Sequence, residues 1–133
     1  MQMRRQAREV ALQILFQNEF SARISAHDFL GLFEESVPKE AIAYADSLVH
    51  GVSDKRTEID NLIQTASAHW SLARMSIVDR NILRLSVFEI RFATEGLKPS
   101  IAINEAVELA KRYGSTDSPS FVNGVLDSIA KGS

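Results

Sequence analysis

Residues 76–93 read SIVDRNILRLSVFEIRFA, and this stretch decides the fold. Ser76 and Asp79 stand at the S-x-x-D spacing of a capping box, in which each side chain satisfies an orphan N–H at a helix start. Nothing breaks the helical pattern before Gly96. At about 100° per residue, Ile77, Val78, Ile82, Leu83, Leu85, Val87, Phe88, Ile90 and Phe92 point nearly all the way round the axis. A helix that is apolar on most sides is surrounded by other elements. Only Arg80, Arg84 and Arg91 form a narrow polar strip, within roughly 40° of one another. The stretch is expected to be a central core helix whose exit to water is this row of arginines.

Working outward, the chain reads as helix after helix. Residues 1–20 place Ala7, Val10, Ala11, Ile14 and Leu15 on one stripe at helical spacing. Arg4, Arg5 and Arg8 precede any acid in the chain, and Arg4 and Arg8 are one turn apart. Cations at a helix N-terminus oppose the macrodipole. Three of them point to a charged ligand such as phosphate that offsets the cost. Ser25 and Asp28 mark the start of a short second helix to about Ser36. Pro38 suits the first position of a third, with Gly51 in mid-run as its weak point. Over residues 26–60 acids outnumber bases, a flank suited to solvent or to a basic protein partner.

Trp70, Leu72 and Met75 fill the link into the central helix as a short helical turn. From Ala102 to Tyr113 the apolar and polar sides separate cleanly, and Gly114 stands where a left-handed C-terminal cap is wanted. Ser118 is then the expected cap of the last helix, with Pro119 at its first position. Gly124 lies inside that helix and is expected to permit close helix–helix approach. Period-2 alternation is absent. The expected architecture is all-α: six or seven helices in one domain over 1–133, with closely packed halves at about 1–70 and 71–133.

Composition narrows the function. With 133 residues, 45% apolar and 24% charged, the chain can bury a real core. No apolar run approaches the roughly 18 residues of a membrane span. The N-terminal residues lack the apolar h-region of a secretory leader. The absence of cysteine excludes disulfides and thiolate chemistry and favours a reducing, cytoplasmic setting. A net charge of −2 excludes a bulk-basic nucleic-acid binder but not a local basic patch.

Little in the sequence resembles catalytic machinery. No two of His27, His50 and His69 share an i, i+4 spacing, and there is no HExxH, Walker loop, G-x-S-x-G or G-x-G-x-x-G. Adjacent Glu34 and Glu35 diverge by about 100° on a helix, poor geometry for an acid–base pair. No metal, cofactor or enzymatic activity is expected, which leaves a binding module. The arginines can meet a few phosphates, Phe121 or Phe16 could stack on a base, and Asn123 or Asp117 could read a base edge.

Four blocks in order then resemble the NusB family of bacterial transcription antitermination factors. They are RRQAREVALQ from Arg4, DRNILRL from Asp79, INEAVELAK from Ile103 and FVNGVLD from Phe121. The resemblance implies an all-helical fold of two packed halves and a non-enzymatic role. It implies pairing with a small-subunit ribosomal protein, also called NusE. The pair is expected to bind boxA-type single-stranded RNA and to join an RNA polymerase antitermination complex, notably on rRNA operons. RNA contacts carry over to Arg4, Arg5 and Arg8, with a second surface at Asp117, Ser118, Phe121 and Asn123. Glutamines at Gln2 and Gln6 make the basic start sparser than in some members, so dependence on the partner is expected. Two alternatives are the NusB-like domain of an rRNA methyltransferase lineage and a helical scaffold using its acidic flank. The first would continue into an α/β cofactor domain, and this sequence has no Gly-rich strand-to-helix loop. For the ribosomal protein, the acidic flank and the Arg80, Arg84, Arg91 strip are both possible docking faces.

Overall fold

The computed structural model describes residues 2–20, 37–93 and 96–132. Six α-helices and no strand occur among the described residues: α1 (Gln2–Asn18), α2 (Lys39–Asp54), α3 (Arg56–Ala66), α4 (Ile77–Val87), α5 (Pro99–Tyr113) and α6 (Ser118–Lys131). A 3₁₀ turn, Leu72–Arg74, leads into α4, and a π-helical turn, Phe88–Phe92, extends it. The helix expected over residues 25–36 lies outside the described residues.

Helix α4 packs against each of the other five helices, while α1 with α2 and α5 with α6 make the most extensive pairs. Its residues from Asn81 to Val87 are all buried, as an almost all-round apolar helix requires. The α1 stripe of Ala7, Val10, Ala11, Ile14 and Leu15 is buried in the same core. The capping box forms by halves. Ser76 Oγ accepts from the Asp79 N–H at 3.0 Å, but Asp79 Oδ1 is buried with no hydrogen-bond partner.

The arginine strip is not an exit to water. Arg80 is bonded to Glu19 at the end of α1, at 2.6 and 2.9 Å. Arg84 is buried and reaches Asp60 on α3 at 2.9 Å and Glu19 at 3.2 Å. Arg91 donates to the Ile129 carbonyl near the end of α6 at 3.0 Å. The strip is thus the seam by which the core helix holds three neighbours. The directions of the three side chains follow from sequence; their partners lie too far along the chain to be seen there.

Several boundaries also differ from expectation. Pro38 is the N-cap of α2 rather than its first residue. The break between α2 and α3 falls at Lys55, not at Gly51. Gly51 has another use: a Cβ there would lie 2.1 Å from Cζ of Phe88, so the glycine makes room for that half-buried ring. Gly114 has φ −95° and no left-handed backbone. A Cβ on it would meet Ser118 Oγ at 2.4 Å, so contact and not conformation favours glycine there. Gly124 faces open space, with nothing within 4 Å of a built Cβ, so it serves no helix–helix approach. Trp70 is 52% exposed rather than filling the link. Its backbone carbonyl accepts from the Gln64 side chain, which also accepts from the Leu72 N–H.

Two outcomes are expected. Gly51→Ala puts a methyl group into the Phe88 ring and should cost about 1–3 kcal/mol in urea unfolding, with part recovered by adding Phe88→Leu. Glu19 is held down to about 2 from an ordinary 4.5, chiefly by its hydrogen bonds to Arg80, with Asn81 and Arg84 assisting against burial. A carboxyl whose pKa falls on folding stabilises fully above its unfolded value. Stability should therefore decline as pH drops from about 4.5 toward 2, by at most on the order of 3 kcal/mol from this group. Glu19→Gln should flatten that limb of the pH–stability curve.

Candidate nucleic-acid interface

Helix α1 opens with no acid in its first turn, and its arginines have three different fates. Arg8 is buried at 3% exposure. Its Nε and Nη2 grip the two oxygens of Glu89 at 2.8 and 3.0 Å, a fork-to-fork pair. Its Nη1 lies 3.5 Å from Glu105. Tyr44 on α2 donates its hydroxyl to the same Glu89 at 2.5 Å. Burial works against the charge of Arg8, but the Glu89 hydrogen bonds and the surrounding negative charge leave its pKa raised. Burial, and then the bond to Glu89, push the Tyr44 phenol up to about 12. Arg8 is therefore a core residue, expected at the surface but found inside, that fastens α1 to the π turn of the central helix.

Arg5 points outward. Its Nε and Nη2 donate to Glu105 on α5 at 3.1 to 3.3 Å, yet the side chain stays 60% exposed. The Glu105 hydrogen bond and charge raise its pKa. Arg4 lays its guanidinium over the Tyr44 ring, 4.6 Å from the centroid, a cation–π contact that steadies the side chain. Glu89 and Glu105 already supply negative charge to Arg8 and Arg5.

The second surface also divides. Asp117 is exposed and is the N-cap of α6, without a side-chain cap bond. Ser118 is buried and is not the cap. Its Oγ accepts the Ser115 N–H at 2.9 Å and closes the turn between α5 and α6. Ser118, expected at the second surface, thus lies beneath it. Phe121 packs partly against the core, whereas Asn123 is exposed. Two residues on a helix differ by about 200°, so Phe121 and Asn123 do not converge on one ligand. Asp117 and Asn123 remain presented to solvent.

Pattern reading missed Tyr44, Glu89 and Glu105. One signal was available: Glu89 is an acid in the middle of an apolar helix, and a buried acid needs a cation. Among the described residues, no group of His, Asp or Glu could hold a metal, and no helix is long and apolar enough to cross a membrane.

Residues 5–131 match the profile of the NusB family. Transcription antitermination protein NusB of Bdellovibrio bacteriovorus is 57% identical over 128 residues, which span 96% of this chain and 95% of that protein. T. maritima NusB superposes with a TM-score of 0.84 at 39% identity, over 96% of this chain and 90% of its own. NusB in a crystal structure of antitermination factors NusB and NusE with dsRNA gives a TM-score of 0.86 at 29% identity, over 100% and 99%. Fold and relatives together define a helical transcription antitermination factor, a binding protein and not an enzyme. The chain belongs to the NusB family.

Removing Arg8 leaves a buried carboxylate without its cation. Arg8→Ala should cost about 3–5 kcal/mol in denaturant unfolding, far more than Arg5→Ala, whose partner Glu105 keeps Arg8 beside it.

Proposed function

We propose that this chain pairs with the small-subunit ribosomal protein NusE, and that the pair binds boxA-type single-stranded RNA in the cytoplasm. The assembly then joins the RNA polymerase antitermination complex, notably on rRNA operons. The observation that carries the pairing and RNA-binding part of this reading is the whole-chain likeness to NusB in a complex with NusE and dsRNA. The chain acts as one domain, its two halves meeting near residue 70. RNA contact falls to Arg4 and Arg5 at one end and to Asp117 and Asn123 at the other, with Arg8 and Ser118 supporting them from within.

The charge inventory favours a shared grip. A −2 chain with two forward arginines holds few phosphates, and each contact on a single strand contributes a log–log salt slope of only about −0.7. A protein partner supplies the remaining area and charge. The arginine strip is poorly suited to docking, because Arg80 and Arg84 are paired with Glu19 and Asp60, and Arg91 is bonded to the Ile129 carbonyl. Exposed Phe16 and Phe20, with rings 5.2 Å apart, offer an apolar hold instead. Arg80 bonds both Glu19 and the Leu72 carbonyl, so exposed Trp70 joins the same neighbourhood.

Filter binding on boxA-type and scrambled RNA, with and without the ribosomal protein, tests this. Discrimination should appear with the partner present, and Arg4→Ala/Arg5→Ala should weaken it with the melting temperature nearly unchanged. Equal binding of both RNAs by the pair would overturn the reading.

A further inference from the structure

Between α1 and α5 runs a groove of about 210 Å³, lined by Arg5, Arg8, Glu9, Glu105, Lys111 and Arg112 among others. The two helices are stitched along it in parallel order: Arg5 to Glu105, then Glu9 to Arg112 at 3.0 Å. The charges are sorted by depth. Glu105 and Glu9 sit on the floor, at 10% and 25% side-chain exposure. Arg5, Lys111 and Arg112 form the rim, at 60%, 61% and 67%. Only Glu108 interrupts that rim, paired with Lys111 at 3.3 Å. An approaching polyanion meets the rim first, and the acids beneath hold two of its guanidinium groups in place. The depth order thus makes a near-neutral groove basic at its mouth.

The groove starts at Arg5, at one end of the RNA surface proposed above, and runs along α5 toward the other. Arg5 contacts α5 at Glu105, and the turn carrying Asp117 begins after Tyr113, about 12 Å further along the helix axis. We infer that the RNA backbone follows this α1–α5 groove, with Lys111 and Arg112 as phosphate contacts between the arginine start and the α5–α6 turn. The ligand class is a single-stranded polyanion, and the inference rests on the RNA-binding role proposed for the chain.

The experiment compares variants of the full chain with the ribosomal protein on boxA-type RNA, titrated across salt concentrations. Lys111→Ala/Arg112→Ala should make the log–log salt slope shallower by about 1.4, two contacts' worth on a single strand, with an unchanged melting temperature. Lys131→Ala removes an exposed cation of α6 that does not line the groove, and should leave the slope as it was. A loss per charge as large in Lys131→Ala would show a response to net charge and not to the groove, and would overturn the groove path. A full slope in the Lys111/Arg112 variant, with Arg4→Ala/Arg5→Ala still defective, would overturn the groove while leaving RNA binding intact. No defect in either double variant would reject both.

Discussion

The fork between Arg8 and Glu89 is the contact on which the arrangement of this molecule depends. It fixes the start of α1 against the wide turn of the central helix and draws in Tyr44 from α2 and Glu105 from α5. Each neighbour in turn steadies an outward arginine, Arg4 over the phenol ring and Arg5 on the carboxylate. A buried pair of this kind contributes little net stability compared with an apolar substitute, because desolvation offsets the attraction. What it gives here is position. Two surface cations are oriented from beneath by a half-buried phenol and a largely buried carboxylate.

A second set of ion pairs follows the same logic at the other end of α1. Glu19 receives Arg80, Arg84 and Asn81, and Arg84 extends the chain to Asp60 on α3. The helices that surround the core helix are thus held by charge as well as by apolar packing. Among the described residues, the groups offered at the surface include the rim cations and the exposed rings of Phe16, Phe20 and Trp70.

How much of this the sequence discloses depends on the range of the interaction. The central helix, the α1 stripe and the helical character of the chain follow from local periodicity, and the structure bears them out. Arg8 falls with Arg4 and Arg5 on any wheel, yet its partner is 81 residues away. Arg80 and Glu19 are separated by 61 residues. Periodicity gives the direction of a side chain but not what waits there. The α5–α6 turn shows the same limit at short range. Ser118 looks like a cap by position, but Asp117 takes that place and Ser118 closes the turn from inside.

Trp70, the one tryptophan of the chain, stands half in water on the link between α3 and α4. Its indole is hydrated before any unfolding begins, so its fluorescence is a poor witness to the melting of the core. The same exposure suits it as an optical reporter of association. A protein that covers the link would strip water from the ring and shift its emission to the blue, while the core beneath stayed silent.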